Sequence, residues 1–276
     1  MAQGLFRGGT IKSKGPVKKG RRTGLLPNSW DISQREKAIQ EIKLTSSLEI
    51  NLETIKEITD DSLDVGVRRF KIGIDYAEGA VVYIDGMVDS RAVEELIENL
   101  TIEVFKVRAN LTEKRAIYDT AKETLIPQKD VREVHDFAGL WDGVAAGGTA
   151  LLIDGVNRAL TVETRGWNTR AVEEPDSETS LRGPREGFVE SLRTNTSLIR
   201  RRIRTAHLRI KSLTIGTLTK TEVAYAYIKG LASDQLVEEV HFRLQKIDID
   251  GVLESGYLEE YIEDTPLDPV PPNGED

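Results

Sequence analysis

The sequence predicts an α/β (α+β) protein of two subdomains, each a small mixed sheet packed with helices around a ββα unit. Apolar residues alternate with polar ones at Phe70, Ile72 and Ile74, which is typical of a half-buried strand. A second apolar run follows over 80–84, and Gly79 in the link between the runs favours a hairpin or a split pair. A capped helix then completes the unit.

The same unit recurs 144 residues further along the chain. Chance matching of two amphipathic segments is the alternative explanation, and the ungapped match favours a shared architecture. Six identities share the offset: Tyr83-Ile84-x-Gly86 matches Tyr227-Ile228-x-Gly230, and Val93-Glu94-Glu95 matches Val237-Glu238-Glu239.

Local patterns predict the other elements in chain order. Asp89 or Ser90 is expected to cap the helix of the first ββα unit, because both side chains accept hydrogen bonds from a first helical turn. Strands are expected over 149–153 and 156–162, joined by a two-residue hairpin at Asp154-Gly155. Apolar residues at helical spacing predict further helices over 34–45, 47–61, 112–126, 130–146 and 251–263.

Charge and composition divide the chain into four parts. The first 30 residues hold seven lysines or arginines and no acid, so 1–34 is predicted to be a basic disordered tail. This tail favours either plain disorder or attraction to an anionic membrane surface. Nucleic acid is not expected as a partner, because the net charge of −8 opposes binding to phosphates. The other parts are an N-terminal α/β subdomain at 35–140, a C-terminal α/β subdomain at 141–265 and a Pro-rich acidic end at 266–276.

The sequence lacks the motifs that are typical of several functional classes. The chain has no cysteine, which excludes disulfides and thiolate chemistry, and no apolar run reaches the roughly 20 residues that cross a bilayer. It also has no phosphate-binding loop, dinucleotide-binding glycine pattern or nucleophile elbow. His135, His207 and His241 lie far apart, which favours structural or surface roles over metal binding. We therefore expect no enzyme activity, no catalytic residue, no cofactor and no metal.

The segment 182–204 combines a helix start, an apolar stripe and dense charge. Gly183-Pro184 predicts the helix start, since proline fits the first helical position. Asn195 falls inside an apolar stripe at helical spacing, so its amide needs partners. The other members of the stripe are Phe188, Leu192, Ile199 and Ile203.

Polar side chains of this segment are the candidates for an interface or a ligand site. Arginine and carboxylate groups pair in planar, bidentate geometry, which favours an ion-pair network that fixes a subdomain or subunit interface. A solvated helix face and a ligand site are the alternatives. The polar stretch 165–182 is expected to bring more arginines and glutamates to this network, with plain flexibility as the competing interpretation. The candidates are Arg182, Arg185, Glu186, Glu190, Asn195, Arg200, Arg201 and Arg202.

The run RGPREGFVESLRTNTSLIRRRIR over 182–204 resembles the signature of the GerA family of bacterial spore germinant receptors. The similar part is the large soluble N-terminal region of the A subunit, and it covers 36–265. Shorter matches lie on both sides of the run: Ile153-Asp154-Gly155 upstream, then Ile215-Gly216, Tyr227-Ile228-Lys229-Gly230 and Ser255-Gly256-Tyr257 downstream.

The resemblance implies a non-enzymatic nutrient sensor that takes part in spore germination together with B and C subunits. In that family the A subunit continues into its own membrane domain in the spore inner membrane, so this chain is expected to be a soluble domain on the cytoplasmic (core) side. Its expected role is receptor assembly and signal relay to the membrane domain. The alternative is a germinant-binding module with a small-molecule cleft between two α/β lobes.

Overall fold

Two sheets and eight α-helices form the part of the chain that the structure describes. The computed structural model describes residues 32–72, 77–103, 114–125, 130–166, 187–252 and 254–263. The helices are α1 (Ile32–Glu41), α2 (Leu48–Thr59), α3 (Ser90–Glu98), α4 (Lys114–Thr120), α5 (Phe137–Ala145), α6 (Leu192–Arg202), α7 (Asp234–Gln245) and α8 (Ser255–Ile262). The strands are β1 (Val65–Ile72), β2 (Ala77–Ile84), β3 (Val131–Val134), β4 (Thr149–Ile153), β5 (Ala159–Val162), β6 (Leu208–Ile215) and β7 (Thr221–Ile228). Short π-helical turns continue α3 over Asn99–Glu103 and α4 over Ala121–Leu125.

The first sheet has five strands in the order β1-β2-β4-β5-β3. The pairing of β1 with β2 begins with Val65 opposite Ile84 and continues to Ile72 opposite Ala77. Because side chains alternate across a strand, each face of the sheet supplies its own core. The face towards α1, α2 and α5 buries residues such as Leu52, Ala80, Val82 and Trp141, and the face towards α3 and α4 buries Val81, Leu96, Ile117 and Leu151.

The second sheet is the hairpin β6-β7, in register from Leu208 opposite Ile228 to Ile215 opposite Thr221. Helices α7 and α8 pack with it around a small core whose buried members are Ile215, Leu244, Val252 and Leu258. We call residues 32–166 the first lobe and 187–263 the second lobe. A core this small stabilises little by itself, so the second lobe depends on its contacts with the first.

The ββα repeat expected from the sequence is present in both lobes, and the α+β class is confirmed. The units β1-β2-α3 and β6-β7-α7 are hairpins that lead into capped helices, and their caps, Asp89 and Ser233, keep the offset of 144 residues. Gly86 and Gly230 lie between strand and helix with φ of 80° and 92°, a conformation that strains residues with a side chain. The repeat also includes the preceding helices, α2 and α6, which Ser47 and Ser191 cap at the same offset.

Strand pairing and some element bounds differ from the sequence expectation. Every strand pair in the described residues is antiparallel rather than mixed. The links β1–β2, β4–β5 and β6–β7 are too short for a parallel crossover, and the longer connections also bring β4 to β2 and β3 to β5 in antiparallel pairs. Residues 131–134 of the expected helix 130–146 form the edge strand β3, which pairs with β5, and α5 begins only after its cap, Asp136. Asp154-Gly155 does form a turn, but β5 begins at Ala159, so the link is longer than two residues.

The expected subdomain boundary between residues 140 and 141 falls inside α5. Strands β4 and β5 follow that point, yet they hydrogen-bond in the same sheet as β2. The change from one sheet to the other therefore lies between Val162 and Leu208, and a division into folding subdomains stays a prediction. Most of the basic tail and the whole acidic end lie outside the described residues. None of the helices in the described ranges is both long and apolar enough to span a bilayer.

Candidate functional site

Arg200, near the end of α6, is fully buried and forms a bidentate ion pair with Asp64. The side chain of Arg200 is 0% exposed and that of Asp64 is 2% exposed. Arg200 Nε donates to Asp64 Oδ2 at 2.7 Å, and Nη2 donates to Oδ1 at 2.9 Å. Asp64 lies between α2 and β1, so this pair joins the second lobe to the first.

Oxygen atoms from both lobes surround the rest of the guanidinium. Nη1 donates to the Thr205 carbonyl at 3.1 Å, and Nη2 donates to the Leu208 carbonyl at 3.2 Å and to Ser62 Oγ at 3.4 Å. Ser62 Oγ also donates to Asp64 Oδ1 at 2.7 Å. A buried charge is tolerated only when it is paired and hydrogen-bonded in this way.

The segment that carries Asp64 also lies along the edge of β6. The backbone N–H of Leu63 donates to the Ile210 carbonyl at 2.8 Å, and the N–H of Ile210 donates to Ser62 Oγ at 2.9 Å. Arg209, which is 1% exposed, reaches back with Nη2 to the Ile58 carbonyl at 2.5 Å. Backbone, hydroxyl and guanidinium groups thus connect the end of α2 to the start of β6.

An aromatic ring of the first lobe lies against the buried guanidinium. Arg200 Cζ is 5.5 Å from the ring centroid of Trp141, close enough for a cation–π interaction. The indole Nε1 of Trp141 donates to the Arg204 carbonyl at 2.8 Å, just after α6 ends. Trp141 therefore contacts both the end of α6 and the guanidinium of Arg200.

Asn195 fixes the start of α6. Its Oδ1 accepts a hydrogen bond from the Val189 backbone N–H at 2.7 Å, and its Nδ2 donates to the Val189 carbonyl at 2.7 Å. Asn51 in α2 makes the same two bonds to Thr45, at 2.9 and 2.8 Å. The amide partners that the sequence required are thus backbone groups. We call this pair of hydrogen bonds, from an asparagine side chain to the backbone of one residue before the helix, the asparagine bracket; it occurs in both copies of the repeat.

The start of α6 packs directly on the turn of the first ββα unit. Arg193 forms an ion pair with Asp85. A Cβ at Gly86 would lie 3.0 Å from the Arg193 carbonyl oxygen and 3.1 Å from Ser197 Cβ. The lobes therefore touch at both ends of α6, through Gly86 at the start and Asp64 near the end.

His207 is a second buried polar group at this junction, with 0% exposure. Burial lowers the pKa of its imidazole to about 4; Glu36 acts in the opposite direction, and Arg35 and Arg209 add to the lowering. In the described part of the chain, neither ring nitrogen has a hydrogen-bond partner, and Glu36 Oε1 lies 3.7 Å from Nε2. The imidazole is therefore neutral at pH 7.

A cavity of about 410 Å³ lies beside the junction, where α3 begins and the Gly86 turn meets α6. Its lining includes two arginines of α6, Arg193 and Arg201, together with Thr194 and Asp89. At this cavity, Arg193 and Arg201 border open space as well as the first lobe.

The structure brings together only part of the predicted residue set. Arg200 and Asn195 have the partners described above, Arg201 is half-buried, and Glu190 and Arg202 are exposed. The cation pairs with Asp64 and not with a glutamate of its own segment. Arg182, Arg185 and Glu186 lie outside the described residues, as does most of 165–182.

The buried face of α6 also differs from the predicted stripe. Residues 187–191 are not helical, so the helix that carries Arg200 begins later than Gly183-Pro184 predicted. Phe188 is 70% exposed because it precedes the Ser191 cap and does not belong to the helix. The buried residues of α6 are Thr196, Ser197, Leu198 and Arg200. Among them, the small side chain of Ser197 lets α6 approach Gly86 of the first lobe closely.

Sequence reasoning missed the first-lobe half of the network, which consists of Ser62, Asp64 and Trp141. Asp64 stands in an acidic stretch with Asp60 and Asp61, and nothing local distinguishes the buried acid from its neighbours. Its partner is 136 positions away, and a contact over that distance leaves no periodic signal in the chain.

The arrangement joins the lobes, and the guanidinium at its centre is already hydrogen-bonded within the protein. The guanidinium of Arg200 donates to oxygens of the protein itself, so it is not offered to a ligand. In the described ranges, no three metal-ligating side chains come together.

The family model for the Bacillus/Clostridium GerA spore germination protein matches residues 53–275. That range includes Asp64, Arg200 and both ββα units. The chain belongs to the GerA family. A crystal structure of the N-terminal domain of the A subunit of the Bacillus megaterium spore germinant receptor GerK3 is similar to this GerA-family chain, with a TM-score of 0.62, 34% identity and coverage of 83% of each chain.

Curated relatives that are similar to this GerA-family chain include a spore germination protein and a membrane protein. The chain is 37% identical to spore germination protein KA of Bacillus subtilis, over 84% of this chain and 42% of the relative. It is 36% identical to the uncharacterized membrane protein YfkQ of the same organism, over 87% of this chain and 47% of the relative. The chain thus spans about half the length of the curated relatives it matches.

Proposed function

We propose that this GerA-family chain is the N-terminal domain of a germinant receptor A subunit and relays a signal to a membrane domain. The buried Arg200–Asp64 pair supports this role. A small shift of one lobe against the other would pull the carboxylate and the guanidinium apart while both stay buried, which is strongly unfavourable. The two lobes therefore move as one body, and a displacement of one is passed to the other.

The proposal extends to partners and location. The likeness to the GerK3 domain and to spore germination protein KA supports assembly with the B and C subunits of a receptor in the spore inner membrane, with this domain on the core side. The chemistry of the junction supports a non-enzymatic role, since its charges are used for mutual pairing. The basic tail adds attraction to anionic lipid.

The test uses spores that carry the full-length receptor with Arg200→Lys. Lysine keeps the positive charge but lacks the planar fork that binds both carboxylate oxygens, so the lobes are coupled less firmly. We expect slower germination, measured as the fall in optical density after germinant is added, at a receptor level that immunoblotting shows to be normal. Arg202→Lys, at an exposed position of the same helix, is the matched control. Normal germination with Arg200→Lys would refute the relay.

A second function, binding of a germinant by this domain, is supported by the 410 Å³ cavity beside the junction. Arg193 and Arg201 suit a ligand that carries a carboxylate. Calorimetry with amino acids, sugars and nucleosides tests this function. Heat of binding that disappears in Thr194→Trp, which fills the cavity, would support it, and absence of heat with every compound would exclude it.

A further inference from the structure

The two repeats differ in what covers one face of the hairpin. In the first lobe, Ala80, Val82 and Met87 are each 0% exposed, because they lie in the core between the sheet and the helices α1, α2 and α5. The second lobe repeats β2 as β7, 144 residues further along the chain. Helices α7 and α8 pack against the face of β7 that carries Val223 and Tyr225. Alternate positions of β7 belong to its other face.

That other face of β7 is open in the described part of the chain. Ala224 is half-buried, Ala226 is exposed, and Leu231, the equivalent of Met87, is 69% exposed. By contrast, Ile210, which lies opposite Ala226 on β6, is 1% exposed. The cover of this face therefore stops between the two strands of the hairpin.

Helix α1 begins at the border of this open face. A Cβ at Gly230, in the turn that follows β7, would lie 3.3 Å from Arg35 Cδ and 3.8 Å from Ile32 Cγ1. The same helix is held near the start of β6, where Thr205 Oγ1 donates to Glu36 Oε1 at 2.5 Å. Since Leu231 directly follows Gly230, the polypeptide that precedes α1 arrives beside the open face.

Residues 23–31, which lead into α1, differ in composition from the basic part of the tail. All seven lysines and arginines of 1–31 lie at or before Arg22. The next nine residues, TGLLPNSWD, carry no basic side chain and include Leu25, Leu26 and Trp30. Large apolar side chains are stabilised by leaving water, so they favour a nearby apolar surface.

The segment 23–31 is long enough to reach the middle of β7. A chain spans at most about 3.3–3.6 Å per residue, so Leu26 lies within roughly 20 Å of Ile32. Ala226 precedes Gly230 by four positions, which corresponds to about 13 Å along a strand. Thr221, at the far end of β7, is about 30 Å from Gly230 and so beyond this reach.

We infer that residues 23–31 pack on the open face of β7, with their two leucines and their tryptophan against Ala226 and Leu231. The segment then supplies the kind of apolar cover that α5 gives to Ala80 and Val82 in the first lobe. It also connects the basic part of the tail, which ends at Arg22, to the second lobe.

Single cysteines test this packing, because the chain itself contains none. The full chain with Ala226→Cys is treated with a maleimide, and the labelling rate is followed by mass spectrometry. We expect labelling several-fold slower than in Leu218→Cys, at the tip of the hairpin, where the native side chain is 78% exposed. The double change Leu25→Asp and Leu26→Asp should raise the rate at position 226 several-fold and leave the rate at position 218 unchanged.

The matched control is the double change Asn28→Asp and Ser29→Asp. It adds the same charge to the same segment at polar positions, so it should leave the labelling rates at both test positions unchanged.

Cross-linking locates the segment without either aspartate pair. A short bis-maleimide should join the two thiols of Leu26→Cys with Ala226→Cys within one chain, and should not join those of Leu26→Cys with Leu218→Cys, because the hairpin tip is out of reach. Both reactions are read as monomer bands on a denaturing gel. This measurement keeps the inference testable if the aspartate variants do not fold.

Three results would overturn the inference. One is labelling at position 226 that is as fast as at position 218 in the otherwise unaltered chain. Another is slow labelling that the leucine-to-aspartate change leaves slow, with no cross-link from position 26, since a different part of the chain would then cover the face. The third is slow labelling that becomes fast on dilution, which would assign the cover to another molecule.

Discussion

Arg200 holds the lobes together because every part of its guanidinium meets an oxygen and none meets water. A buried ion pair is weak support for stability in itself, since desolvation offsets most of the attraction. We expect its effect to be on geometry, because a placement of α6 has to satisfy the carboxylate of Asp64 and the surrounding carbonyl groups at the same time. The pair therefore selects one arrangement of the lobes.

Removing the guanidinium should be costly, because Asp64 stays buried without a cation. We expect Arg200→Ala to lower the free energy of unfolding by about 3–5 kcal/mol, measured by urea denaturation. Arg202→Ala, at an exposed position two residues on, should change it by no more than about 0.5 kcal/mol. Equal losses in the two variants would show that the buried pair has no special role.

His207 should make the fold sensitive to acid. Its folded pKa of about 4 lies below the ordinary value of 6.5, so between these limits the unfolded chain binds more protons than the folded one. Stability therefore falls as the pH drops from 6.5 towards 4 and is unaffected by this group above 6.5. We expect His207→Leu to flatten this part of a plot of unfolding free energy against pH. An unchanged slope would assign the acid sensitivity to other groups.

At the scale of elements, α2 and α6 begin in the same way, with a serine cap and an asparagine that brackets the chain before the helix. Removing either bracket leaves a backbone N–H and a carbonyl of the preceding segment unpaired. We expect Asn51→Ala and Asn195→Ala each to cost about 1–3 kcal/mol in thermal or urea unfolding. Thr194→Ala, in the first turn of α6, is the control for a change in the same helix without loss of the bracket.

The sequence was sufficient for the ββα units, because period-two alternation around Phe70 and capping residues such as Asp89 are local signals. It was insufficient for β3, since the four residues of an edge strand are too few to outweigh a helical pattern that continues through α5. Arg200 and Asn195 were found as candidates from the density of charge and from a polar residue in an apolar stripe. Asp64 and Trp141 could not be found in this way, because they matter through tertiary contacts with Arg200, and such contacts leave no pattern in the neighbouring sequence.

The whole molecule should behave as one cooperative unit as long as the junction is intact. The second lobe has a small core and relies on the first lobe through Asp64, Trp141 and Gly86. In Asp64→Asn we expect the amides of β6 and α7 to exchange with solvent much faster, while those of β2 and β4 stay protected, as measured by hydrogen exchange with mass spectrometry. Uniform acceleration in both lobes would instead mean that the first lobe unfolds as well.

Asp64 leaves the ribosome well before Arg200 does, because 136 positions separate them. At about 5–20 residues per second, the delay is on the order of ten seconds. All five strands of the first sheet are made within that interval, while the carboxylate remains hydrated. Locking of the lobes is therefore a late event in biogenesis, and a nascent chain interrupted before α6 would expose an incomplete surface to chaperones and proteases.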